Sequence, residues 1–301
     1  GSTTVRGATG GEPRGNRNLI WSRALREQRM RWWGIAAIVV ACGAGKGLTK
    51  GVKTDPAVKA EQSEGSWSDK VDDHASDLLE KGREIFRSDT FGSEAFWGAE
   101  LRLHHAILGE KHGGVGPGVT PRQALKLGLK VDLAAVPKVV VEVLQEGSIS
   151  LDDPETTLEL LRANSVIGVR AFMTENDDVE SIGITCAFCH STVDDSFASG
   201  IGRRLDGWPN RDLNVGAIVA IAPNLKPFTD LLGVDEATAK KVLMSWGPGK
   251  YDAELSHDGK GLRPEGKSAA TLIPAAFGLA GQNVHTYSGW GSIPYWNAYV
   301  A

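Results

Sequence analysis

The hydrophobic pattern begins with a short apolar run, Gly34 to Ala41, directly after Met30-Arg31-Trp32-Trp33. The run is far too short for a spanning helix, which needs ~20 apolar residues. Residues 43–75 are polar and aperiodic, so they read as a linker. Helical spacing starts near Ser76, where Leu78, Leu79, Gly82, Ile85 and Phe86 fall on related faces. Phe91-Gly92 breaks that run. A second helix is predicted over 94–108, with Phe96, Trp97, Leu101 and His105 in phase. Residues 111–120 hold four glycines and a proline and read as a loop. A helix is expected over 131–146, with Pro137 as a break within it. Asp153-Pro154-Glu155 is a strong helix start: a capping carboxylate, proline at the first position, and an acid facing the positive end of the dipole. That helix should end near Asn164. Residues 166–173 and 179–184 are β-branched and aromatic on either side of Asn176-Asp177-Asp178, which predicts a small hairpin. Asp235 then caps a helix running to Trp246, stopped by Gly247-Pro248-Gly249. The expected fold class is mostly α and loop-rich, with an N-terminal helical extension and one small β-hairpin.

Composition agrees with a globular chain. Hydrophobic residues are 41% and charged residues 23% of 301, which excludes wholesale disorder. The 37 glycines, roughly 12% against a usual 7%, follow no G-X-Y period and point to tightly bent loops. The net charge of −4 gives no basic face for nucleic acid. Charge is uneven, however. Residues 1–41 carry seven arginines and only Glu12 and Glu27, and the rest of the chain is acidic. A basic start, a brief apolar core and small residues at its end describe a leader and signal segment over 1–41. Export by a signal peptide to the periplasm is the expectation. The tetrad Val39-Val40-Ala41-Cys42 is similar to a bacterial lipobox, which makes Cys42 a candidate lipid anchor. Its alternative is an ordinary signal peptide with an incidental cysteine. Gly43-Ala44-Gly45-Lys46-Gly47 is no phosphate loop, because Val40 and Gly47 stand where glycine and a hydroxyl residue are required. Gly114 and Gly116 likewise fail the dinucleotide fingerprint at Val119.

The chemistry lies in Cys186-Ala187-Phe188-Cys189-His190, the C-x-x-C-H signature of covalent c-type haem attachment. The two thiols add across the haem vinyl groups, and their spacing puts both sulfurs on one edge of the macrocycle. His190 then supplies the proximal imidazole to iron. The hairpin before it suggests that the motif opens a short helix. A thioredoxin-like pair would want a βαβ setting, and a zinc site would want a second pair of ligands. Neither is present in the sequence. A disulfide across two residues would be strained.

Around this motif the chain resembles the bacterial dihaem cytochrome c peroxidase superfamily, in its larger, rubber-oxygenase-like members. The strings from Gly82 to Gly92 and from Glu94 to Gly98 carry the resemblance, as does Ile201-Gly202-Arg203-Arg204-Leu205-Asp206-Gly207. It extends over residues 76–301 and implies a cytochrome c-like haem-binding region there, following the leader (1–41) and linker (42–75). Members carry two C-x-x-C-H motifs and this chain carries one. The chain stops at Tyr299-Val300-Ala301 inside an aromatic stretch, so the expectation is a C-terminal truncation before a second haem domain. Two functions follow. One is an exported c-type cytochrome with one haem c that carries electrons to a redox partner protein. The other is the N-terminal haem domain of a dihaem peroxidase or oxygenase with an open iron position. His104, His285 and Met244 are the candidate sixth ligands, with a vacant position as the alternative. Arg203, Arg204 and Arg211 are candidates for holding a haem propionate. The tryptophans, Trp97, Trp208, Trp246, Trp290 and Trp296 among them, are expected in the core and around the haem.

Overall fold

The computed structural model describes residues 67–147 and 149–279, with Val284 and Ser292. Helix accounts for 42% of the described part and strand for 13%, and the strands form four two-stranded sheets. The leader, Cys42, the linker up to residue 66, His285, Trp290 and Trp296 lie outside the described residues.

Helix α1 (Trp67–Ser88) is longer than the apolar pattern predicts, starting at Trp67 instead of Ser76. It buries no residue, and its last turn packs against the described body of the protein. There Phe86 packs on Ile167, Ala187 and Val193, and Arg87 pairs with Asp206. The single helix expected over 94–108 is two elements. A π-helix (Ala95–Glu100) is followed by α2 (Leu103–Leu108), with Arg102 left-handed between them at φ 54°. Burial on both sides of the break explains the change. Trp97 and Leu101 point inward before it, Leu103 and Leu108 after it, and one straight helix could not present both pairs to the core. The π-helix also lies close against the hairpin. A Cβ on Gly98 would sit 1.8 Å from the Ser181 hydroxyl, which would have to rotate away.

Helix α3 (Pro121–Lys126) closes the predicted loop with a reciprocal capping box between Thr120 and Gln123. The helix expected over 131–146 is shorter. Val131–Asp132 is strand β1, and α4 (Lys138–Gln145) starts only after Pro137. Proline has no N–H to continue a helix through and disfavours helical backbone before it, so it sits at the boundary instead of inside. Helix α5 (Pro154–Arg162) starts as predicted, with the Asp153 carboxylate accepting from the Glu155 N–H. The hairpin is present as β2 (Val169–Met173) and β3 (Val179–Ile184), antiparallel, with Asp177 left-handed in the turn. Then follow α6 (Ala187–His190), β4 (Ser191–Val193), β5 (Ile201–Gly202), β6 (Arg204–Asp206), α7 (Val215–Ala220), α8 (Lys226–Leu232), α9 (Glu236–Met244), β7 (Lys250–Tyr251), α10 (Leu255–Asp258) and β8 (Thr271–Leu272). Asp235 caps α9 through the Thr238 N–H. Strand β1 runs parallel to β5, while β4–β6 and β7–β8 are antiparallel.

Two hydrophobic cores result. The larger holds Trp97, Leu158, Ile182, Phe188, Leu213, Leu243 and Trp246. The smaller gathers Val131, Val140, Leu160, Leu161 and Ile201. Ile107, Leu129, Val169 and Ala171 pack against both and form the seam.

Candidate haem-binding site

The C-x-x-C-H motif folds as the expected short helix, α6, entered directly from β3. Its backbone is set by the preceding turn: the Thr185 N–H donates to Gly168 at 3.0 Å, and the Phe188 N–H to Thr185 at 2.9 Å. Gly168 has φ 77°, and a Cβ there would lie 2.1 Å from the Phe188 backbone. The inward residues of α6, Ala187 and Phe188, are buried, and Phe188 leans on Trp97 with ring centroids 6.1 Å apart. The three-residue step carries Cys186 and Cys189 to a shared helix face. Both are unbridged and partly exposed. Burial, with Cys186 beside it, pushes the Cys189 thiol up to about 12. A thiol raised in this way lacks the depressed pKa of a thiolate redox nucleophile.

His190 is buried, 3% exposed, and Nδ1 lies 2.9 Å from the Pro274 carbonyl oxygen. A carbonyl can only accept, so Nδ1 carries a proton, and in the neutral ring Nε2 then keeps the lone pair. This is how proteins present a histidine as a metal ligand, with the far nitrogen anchored and the ligand nitrogen made more basic. The end of α6 is held by the next loop. The Gly207 N–H donates to the His190 carbonyl and the Asn210 N–H to that of Cys189, both at 2.8 Å. The Ala276 N–H then donates to Gly207 at 2.8 Å. Two segments, 207–210 and 274–277, therefore frame His190. Each presents one aromatic ring: Trp208 and Phe277 stand 5.3 Å apart and remain 54% and 52% exposed. Both are large apolar rings left half in water on the segments that hold the end of α6.

The three candidate arginines separate by burial. Arg203 and Arg211 are exposed. Arg204 is largely buried in β6: its Nε donates to Asp206 at 2.5 Å, while its buried Nη2 has no hydrogen-bond partner. Asp206 also accepts from Arg87 and from the Ser191 hydroxyl, the latter at 2.8 Å. Burial pushes the Asp206 carboxyl up, but Arg204, Ser191 and Arg87 together outweigh it and hold the group below the usual range. β6 pairs with β4, the strand that leaves His190. An orphaned guanidinium N–H in this position is the donor a carboxylate would satisfy.

These features fit a covalently held haem: two unbridged thiols on one helix face, an oriented imidazole, a buried donor for a propionate and exposed aromatic rings. The candidate sixth ligands are scattered. His104 on α2 is buried, stacks on His105 at 4.3 Å and has an Nδ1 without a hydrogen-bond partner. Met244, at the end of α9, is 55% exposed. Among the described residues no three His, Cys, Asp or Glu side chains converge on one point, the motif and His104 included. Trp97 and Trp246 are core residues. Sequence reasoning missed the Pro274 carbonyl, which as a backbone group carries no side-chain signal, and the pairing of Trp208 with Phe277. No protein family, curated protein or solved structure matches this chain.

Proposed function

We propose that this chain is an exported c-type cytochrome that binds one covalent haem c and carries electrons to a redox partner protein, with Cys42 a candidate lipid anchor. The observation that carries the reading is the C-x-x-C-H motif on a short helix with the His190 Nδ1 proton tied to the Pro274 carbonyl. Bound there, haem supplies a one-electron iron couple tuned by its ligands and burial. The residues of the chain do the rest. Cys186 and Cys189 provide the thioether sulfurs, and His190 presents Nε2 to iron. Arg204 offers Nη2 to a propionate, and Trp208 and Phe277 exclude water from the ring. The cytochrome c-like fold of residues 76–301 belongs to the same proposal.

The test is an absorption spectrum of the full chain produced with a c-type maturation system, oxidised and reduced, with and without carbon monoxide. A low-spin spectrum indifferent to carbon monoxide is the expected outcome. A high-spin spectrum that shifts with carbon monoxide would replace electron transfer by peroxidase or oxygenase chemistry. The Cys186→Ala/Cys189→Ala double variant should lose its haem in denaturing extraction, and haem that stayed bound would overturn covalent attachment.

A further inference from the structure

A cavity of about 60 Å³ lies at the seam of the two cores. Ile107 of α2, Ala124 of α3, Leu129, Leu160 of α5, Val169 of β2 and Ile218 of α7 line it, and no polar atom faces it. Two polar residues stand at the wall and turn no polar surface to it: the Lys130 ammonium pairs with Asp212 at 2.5 Å, and the Thr157 hydroxyl is buried without a hydrogen-bond partner. Water needs two to four polar partners to reside in such a partly open space, and its surface exposes none.

The backbone at the rim of the cavity is held in place. Leu127 and Leu129 flank Gly128, whose φ is 86° and whose Cβ, were there one, would sit 2.1 Å from the Asp212 carbonyl oxygen. The Asn210 side chain donates to the Gly128 carbonyl at 2.9 Å, and the Asn214 N–H donates to that of Leu127 at 2.9 Å. The backbone around Leu127 and Leu129 is thus pinned on both sides, and wall atoms facing the space forgo the dispersion contacts that close packing would give them. A guest of matching size restores those contacts without displacing ordered water.

We propose that this cavity is a binding site for a small nonpolar molecule, of the size of a dissolved gas or the shortest hydrocarbons. The size follows from comparison with cavities of about 150 Å³, which admit benzene; this one is less than half as large. Its position adds interest. Asn210, which pins the lip, also donates its backbone N–H to the Cys189 carbonyl, so one residue joins the cavity to the motif helix. The site is independent of haem binding, and its test does not use haem as the readout.

The experiment uses the full chain with labelled Ile, Leu and Val methyl groups, followed by NMR under increasing xenon pressure. The methyls of Ile107, Leu129, Leu160, Val169 and Ile218 should shift and saturate, whereas the exposed Leu231 and Leu272 should drift only linearly. Benzene should leave all of them unmoved in the wild type, and should raise the melting temperature of Leu160→Ala, whose enlarged cavity admits it. Ala124→Leu, which fills the space from α3, should abolish the xenon saturation. Linear, unsaturating shifts at the lining methyls of the wild type would overturn the site whatever the variants do. Saturation that survived in a folded Ala124→Leu protein would overturn it equally.

Discussion

At the scale of single residues, the site depends on groups whose partners leave them one way to point. His190 has its proton fixed on Nδ1 by Pro274, 84 positions along the chain. Arg204 is fixed through Nε by Asp206 and keeps Nη2 unspent. A guanidinium next to a haem propionate disfavours the more positive oxidised iron. In the haem-loaded protein, Arg204→Gln should therefore lower the midpoint potential, while Arg203→Gln, altering an exposed side chain loosely paired with Asp194 at 3.6 Å, should leave it nearly unchanged. A redox titration followed by absorption checks both. Equal shifts in the two variants would mean that general charge, not a propionate contact, sets the effect.

Among the elements, the sequence was legible where the deciding signal is local. Asp153-Pro154-Glu155 and Asp235 each hold a cap within a few residues of the helix they start, and both helices form there. Removing the first cap, in Asp153→Ala, should cost about 1 kcal/mol in urea unfolding. The hairpin and the motif helix were readable for the same reason: alternation and a turn in one case, a five-residue signature in the other. What could not be read depended on distant packing. At the break at Arg102 residues on either side bury in different directions, and Gly98 of the π-helix lies close under Ser181. Pro137 was visible but assigned to the interior of a helix that its own backbone forbids. Within the proposed site, the cysteines and His190 are candidates the motif names; singling out Arg204 among three arginines needs its burial, and the Pro274 carbonyl needs the fold. Gly168 shows both sides of this divide. Nothing in its neighbours marks it, yet Gly168→Ala should destabilise by ~1–3 kcal/mol from its positive φ alone, with the clash against Phe188 added. Urea denaturation should place it well below Gly147→Ala, where φ is 72° but no atom lies within 4 Å.

For the whole molecule, acid stability follows from which groups the fold keeps from their preferred charge. Burial of the His104 ring, with His105 and Arg102 adding repulsion, lowers its pKa from 6.5 to about 4. The folded state thus resists a proton that the unfolded chain accepts. Stability is fully present above pH 6.5 and falls as pH drops from there toward 4. After discounting for solvent screening, the loss is about 1–2 kcal/mol. Asp206, held below its usual range by Arg204, Ser191 and Arg87, adds a second loss, present above the ordinary carboxylate pKa and given up below it. Glu159 and Asp252 run the other way. Burial raises both carboxyls, so their contribution is greatest at low pH and fades as pH rises through their folded values. The opposing slopes make the wild-type profile alone ambiguous, and differences between proteins resolve it. The stability gap between wild type and His104→Gln should change between pH 6.5 and 4 and stay level above pH 7. The gap to Asp206→Asn should stay level there and change only at lower pH. Urea unfolding at half-unit pH steps measures both. If the His104→Gln gap were flat through pH 6.5 to 4, His104 would not be the group that makes the fold sensitive to mild acid.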